Sequence, residues 1–189
     1  MKRNATSTLI TIISGFYLLT LLKPSLQEDL FLINKAFLSD GAIHGVATGE
    51  WYRIFTVALV HGGVMHLGFN MYALLVLGNP LEAALGRTRY LIIFFLSLVA
   101  GSAASLYLNP ENQPSVGASG ALFGLFGAFA VAGRKIGADI RSVMVLLGIN
   151  FAISFVVPNV DWHAHLGGLL GGALTTAIMV EISKGRLKG

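Results

Sequence analysis

The chain has 189 residues, 54% of them hydrophobic and 12% charged, with no cysteine and a formal net charge of +4. A soluble domain carries about twice that charged fraction, so an ordinary soluble domain is excluded, and the missing thiols exclude disulfides, thiolate nucleophiles and thiolate metal sites. The basic balance does not indicate nucleic acid, because Lys and Arg are spread over several segments rather than gathered on one.

A helix needs about twenty apolar residues to cross the hydrocarbon core, and the apolar residues come in six runs: 6–22, 58–78, 90–108, 117–132, 140–157 and 162–182. The first run follows Lys2 and Arg3 as a secretory signal would. No small-x-small cleavage site follows it, which marks it as an uncleaved first helix. The long connection, 23–57, mixes Leu30, Phe31, Ile33, Phe37 and Leu38 with Glu28, Asp29, Lys35 and Asp40. That mixture predicts short helices lying at the membrane surface or packed on the bundle. Lys23-Pro24, Asn109-Pro110 with Pro114, and Pro158-Asn159 are helix stops between runs. The fourth run is short and begins in a Gly-rich stretch. The expected fold is all-α: a polytopic membrane protein of six transmembrane helices, forming a single membrane domain over 1–189.

Basic residues orient membrane helices because they are retained on the cytoplasmic side. With the N-terminus inside, the inner segments hold Lys2, Arg3, Arg87, Arg89, Arg134, Lys135, Arg141, Lys184, Arg186 and Lys188. The outer segments hold only Lys23, Lys35 and Arg53. Both termini are therefore expected in the cytoplasm, with the 23–57 loop outside. The lack of a targeting presequence fits a prokaryotic plasma membrane.

Polar side chains inside spans are costly unless paired or set in a wet cavity. The informative ones are His66 and Asn70 in the second run, Ser119 in the fourth and His165 in the sixth. In the topology above these three runs descend from the outer face. His66 then lies roughly 12 Å down its helix, while Ser119 and His165 sit near the outer ends of theirs, so all four fall in the outer half of the bilayer. His66 and Asn70 are one turn apart on one helix face. Gly120, Gly124 and Gly127 follow Ser119, and Gly168 and Gly172 follow His165. Small residues at that spacing let membrane helices approach closely, which would bring Ser119 and His165 within hydrogen-bond reach.

A serine hydroxyl becomes a nucleophile when a neighbouring base takes its proton, and His165 is the base at hand. The tetrahedral intermediate requires donors aimed at its oxyanion; His66, Asn70 and the Ser119 backbone N–H are the candidates. Asp161 is expected to cap the sixth helix rather than complete a triad, so the site is read as a dyad.

These residues carry a family resemblance. Gly117-Ala118-Ser119-Gly120 resembles the Gly-x-Ser-Gly nucleophile motif of rhomboid intramembrane serine proteases, and Ala164-His165-Leu166-Gly167-Gly168 their Ala-His-x-x-Gly element. The run from His61 to Asn70 is similar to the family's second-helix signature, whose histidine and asparagine line the oxyanion hole. Glu50-Trp51-Tyr52-Arg53 resembles its Glu-x-Trp-Arg element, with Tyr52 at the usual Trp position and Trp51 one residue earlier. The resemblance covers roughly 49–172 and implies a rhomboid core reaching 182. It implies hydrolysis of peptide bonds in or near the single transmembrane segments of substrate proteins, without metal or cofactor. It further implies an active site facing outward, Phe123 packed on the catalytic imidazole, and substrate access beside the second and fifth helices under a cap at 157–161.

Other classes are open to weighing. A metal or proton transporter built on His61, His66, His163 and His165 would want carboxylates beside them inside the spans, and runs two to six hold only Glu181, at the inner end of the sixth; Asp139 and Asp161 lie at run ends. A silent rhomboid-like binder would lack the serine or histidine. A purely structural bundle gives no reason for four polar groups to meet at one depth. His61 is expected to order the outer end of the second helix, Arg53 and Glu50 to hold the outer loop, and Trp51, Trp162 and Tyr90 to anchor at the interface.

Overall fold

The computed structural model describes residues 4–134, 136–137, 139–158 and 160–185. Lys2, Arg3, Lys135, Arg186 and Lys188 of the orientation argument, and Asn159 of the expected cap, lie outside the described residues, as does the side chain of Lys184.

Helix α1 (Ala5–Leu22) is followed by a short α2 (Ser25–Leu30), a hairpin of β1 (Ala36–Phe37) and β2 (Ile43–His44), and a one-turn α3 (Arg53–Thr56). Five longer helices complete the chain: α4 (Val64–Leu85), α5 (Arg87–Leu108), α6 (Ser119–Ala132), α7 (Ile140–Val156) and α8 (Trp162–Gly185). The six predicted runs correspond to α1 and α4 to α8. Four of these, α1, α4, α5 and α8, are long and apolar enough to cross a bilayer. The other two have 14 and 17 residues. Exposed apolar side chains run along the outer faces, as with Leu170, Leu174, Ile178 and Ile182 at four-residue spacing on α8. Water would not tolerate such a stripe on a folded monomer; lipid does. The chain is a multi-pass membrane protein.

Helix α6 is enclosed along most of its length, packed between α5 and α8. The reason is its glycines. A Cβ at Gly124 would lie 3.0 Å from the Gly168 carbonyl oxygen, and one at Gly127 would lie 2.2 Å from that of Leu169. Backbone therefore meets backbone, which is how membrane helices gain dispersion contacts when burial from water is not the driving force.

The second run is the least accurate of the six. Predicted over 58–78, its helix begins at Val64 and ends at Leu85. Gly62 and Gly63 break the start; residues 57–59 form a 3-10 turn and Val60 is extended. At the other end Pro80 is carried inside the helix, so Asn79-Pro80 does not act as a stop. The extra turns have a use at the α1 terminus. The Glu82 carboxylate accepts from the Ala5 N–H (2.6 Å), the Thr6 N–H (2.9 Å) and the Thr6 hydroxyl (2.9 Å). Asn79 accepts from Asn4, the residue that caps α1. Tyr90, expected as an interfacial anchor, is fully buried instead, because the Cβ-less Gly78 leaves room for its phenol.

The 23–57 loop forms the short helices α2 and α3, a 3-10 turn at Val46–Thr48 and, beyond the short helices expected, a hairpin. The hairpin pairs Ala36 with His44 and Phe37 with Ile43. Arg53, 1% exposed, ties the loop together: its Nε donates to Glu50 at 2.6 Å and its Nη1 to the carbonyls of Glu28 (2.7 Å) and Phe31 (2.8 Å). Glu50 also accepts from the Gly45 N–H. A β-bridge joins Leu32 to Ser115, and the Val57 carbonyl accepts from the Gly117 N–H at 2.9 Å. The outer loop thus holds the segment entering α6.

Both nitrogens of His44 meet carboxylates, Glu50 at 2.7 Å and Asp40 at 2.8 Å. The hydrogen bond to Glu50, then that to Asp40, raises the imidazole above its ordinary 6.5. Stability from protonated His44 is fully present below that ordinary value and is lost as pH rises through the raised one. The melting temperature of detergent-extracted protein should therefore fall as pH rises above about 6.5, and His44→Gln should remove that fall. An unchanged slope in the variant would discard His44 as its source.

Candidate active site

Ser119 is the first residue of α6, and Gly117 ahead of it has φ 111°, a backbone setting that disfavours side chains. The chain can turn sharply there and present the hydroxyl inward at the helix mouth. His165 lies one turn into α8. Asp161 sets the start of α8 by accepting from the Ala164 N–H at 3.0 Å and from the Ser105 hydroxyl of α5 at 2.5 Å. Burial raises the Asp161 carboxyl, but the hydrogen bonds from Ser105 and Ala164 outweigh it and hold the group below the ordinary carboxylate value. It is engaged as a cap and as a strut to α5.

With both helices fixed this way, Ser119 Oγ and His165 Nε2 are 2.8 Å apart. His165 is buried and Ser119 half-buried. The Phe123 ring stacks on the imidazole at 4.1 Å with planes 7° apart. The other ring nitrogen, Nδ1, lies 2.7 Å from the hydroxyl of Ser154 on α7. Sequence reasoning did not single out Ser154, since one serine in an apolar helix carries no signal of its own.

His66 stands over Gly117: a Cβ there would come within 2.8 Å of His66 Nε2 and 3.8 Å of Ser119 Oγ. Its Nδ1 faces the Gly62 N–H at 3.4 Å, a long contact. An Nδ1 that accepts there is unprotonated and leaves the ring hydrogen to Nε2, the nitrogen that faces Gly117. Asn70 is buried one turn further along α4 and donates its amide to the His66 carbonyl at 2.9 Å, leaving its own Oδ1 without a partner among the described residues. Ser119, His165 and His66 are thus brought together; Asn70 braces the turn that carries His66. His61, 1% exposed, packs edge-on against His66 with ring centroids 5.0 Å apart. His163 bonds Asn109 at 2.6 Å and stacks on Trp162, away from the pair. A small cavity lined by Ser102, Ser115, Gly117, Ser119, Gly120 and Ala164 adjoins the hydroxyl. Among the described residues no group of three His, Asp or Glu is placed to hold a metal ion.

Comparison with known proteins adds to this geometry. The Rhomboid domain family matches residues 48–182. Rhomboid protease GluP of Bacillus subtilis is 39% identical over 142 residues, covering 71% of this chain and 27% of the relative. Putative rhomboid protease YdcA of the same organism is 39% identical over 143 residues, 72% of this chain and 71% of the relative. Rhomboid-type serine protease 2 of Emericella nidulans is 30% identical over 142 residues, 70% of this chain and 28% of the relative. The chain spans under a third of GluP and of the E. nidulans protein.

Proposed function

The chain belongs to the rhomboid family of intramembrane serine proteases, and on that footing we propose that it hydrolyses peptide bonds in or near transmembrane segments with Ser119 as nucleophile and His165 as base. The observation that carries the reading is the 2.8 Å contact between hydroxyl and imidazole at the enclosed mouth of α6. His165 Nε2 takes the hydroxyl proton as Oγ attacks the scissile carbonyl carbon. It then delivers that proton to the departing amine, and water hydrolyses the resulting ester by the same exchange. Neither metal nor cofactor is needed.

The negative oxygen of the tetrahedral intermediate needs donors before it forms. Gly117 supports the assignment of one. The point its missing Cβ would occupy lies 2.8 Å from His66 Nε2 and 3.8 Å from Ser119 Oγ, too close for a carbon but hydrogen-bonding distance for an oxyanion held by His66. Asn70 completes this side of the site by holding the His66 turn, with its amide close to the same helix face.

We further propose that all six hydrophobic helices cross the membrane within a single domain over 1–189. At 1.5 Å per residue α6 is about 21 Å long, short of a ~30 Å core. Its enclosure by α5 and α8 supports the assignment, because an enclosed helix need not match lipid thickness. The ten inner basic residues against three outer ones support a cytoplasmic position for both termini and a site near the outer face of the plasma membrane. Substrates are single-span membrane proteins. Their access lies between α4, whose Val64, Met65 and Phe69 are exposed, and α7, whose principal contacts are with α6 and α8. On the same reading the connection between α7 and α8 would close over that route from the outer side.

Ser119→Ala should abolish cleavage of a single-span substrate, a loss of more than about 10³-fold, in protein that remains folded and extractable. A fluorophosphonate should label the wild type and fail on His165→Ala; equal labelling would remove His165 as the base. In Gly117→Ala the new methyl crowds His66 Nε2 from a backbone whose φ of 111° already strains a side chain, so kcat should fall by at least about 10²-fold. Gly15→Ala, where nothing lies within 4 Å of the added Cβ, should retain full activity. A fully active Gly117→Ala would put the oxyanion elsewhere.

A further inference from the structure

An imidazole serves as a base toward a serine only if the nitrogen facing the hydroxyl is unprotonated. Neutral histidine carries one ring proton, and which nitrogen holds it follows from the partner of the other. In this protein Ser154 of α7 is that partner. Its Oγ lies 2.7 Å from His165 Nδ1 and 3.0 Å from the Asn150 carbonyl oxygen, one turn back on the same helix. A hydroxyl has a single proton to give. The carbonyl can only accept, and with the Ser154 proton given to Asn150 a lone pair is left facing Nδ1. The hydrogen between Ser154 and His165 must then belong to Nδ1, and Nε2 is left unprotonated toward Ser119. Were Ser154 instead to donate to Nδ1, Nε2 would carry the proton and the dyad would be inert.

We propose that Ser154 is a positioning residue, which holds His165 in the tautomer able to accept the Ser119 proton by taking the Nδ1–H into a hydroxyl whose own proton is committed to Asn150. The proposal rests on the dyad reading above. Two further observations support it. Ser154 is 4% exposed and His165 6%, so bulk water does not compete for the Nδ1–H. The nearby carboxylate, Asp161, is committed to the Ala164 N–H and the Ser105 hydroxyl, which leaves a neutral serine in the place a carboxylate takes in a triad. A neutral acceptor suits a site in hydrocarbon, where a second buried charge costs several kcal/mol unless paired. The groups facing His165 are Ser119 and Phe123 from α6, Ser154 from α7, His66 from α4 and Asp161 at the start of its own helix.

The test measures kcat and KM on a single-span substrate, and the rate of fluorophosphonate labelling against pH, in Ser154→Ala, Ser154→Cys and Ser154→Thr. Cysteine keeps the shape, slightly enlarged, while replacing the hydroxyl by a weak acceptor; threonine keeps the hydroxyl. In the alanine and cysteine variants kcat and labelling rate should both fall about tenfold with KM unchanged. The acid limb of the labelling profile should move to lower pH, because the imidazolium loses its acceptor. Threonine should restore both. Wild-type kcat and an unmoved acid limb in the cysteine variant would overturn the proposal. So would a loss confined to KM or to melting temperature, or a threonine variant as impaired as cysteine. Failure of the dyad itself reads separately, as undiminished labelling of Ser119→Ala or His165→Ala.

Discussion

The close approach of α6 and α8, backbone against backbone, is the constraint on which the site depends. A Cβ on Gly168 would stand 1.9 Å from the Gly120 carbonyl oxygen, and one on Gly172 2.0 Å from that of Gly124. No larger residue fits at either position without driving the helices apart. In lipid, packing of this kind replaces the burial from water that holds a soluble core together. It also fixes relative height: with Gly168 seated on Gly120 and Gly172 on Gly124, His165 is placed level with Ser119 at the mouth of α6.

Around that contact the polar groups close a circuit. The base is held from three helices: α8 carries it, Phe123 of α6 stacks on it, and Ser154 of α7 meets its far nitrogen. Asp161 fixes the start of α8 against α5, while the outer loop, tied by Arg53, holds the approach to Ser119 through Leu32 and Val57. A polar group in this environment is expensive if left unpaired, so each bond serves both the fold and the geometry of the reaction.

Hydropathy and spacing reached far into this architecture for physical reasons. Long apolar runs are legible because only helices satisfy their own backbone in lipid, and five of the six runs end within a few residues of their helices. Ser119, His165, His66 and Asn70 stood out because polar groups are rare there. The errors fall where tertiary contacts override local rules. The second run was ended at 78, yet its helix continues through Pro80 to Leu85, where Glu82 and Asn79 hold the start of α1. Tyr90 reads as an interfacial anchor, yet Gly78 gives its ring a buried seat. Ser154 was invisible for a different reason. A serine in a helix commonly bonds the carbonyl four residues back, as Ser97 does with Ile93, and nothing in sequence distinguishes the one whose second lone pair meets an imidazole.

The account turns on helix separation, and one measurement reaches it directly: the rate at which a fluorophosphonate labels Ser119 in Gly168→Ala compared with Gly148→Ala. The added methyl at 168 must push α8 away from α6, whereas at 148, on α7, nothing lies within 4 Å of it. The account predicts that labelling collapses in the first variant and persists in the second. Wild-type labelling of Gly168→Ala in a folded protein would contradict it.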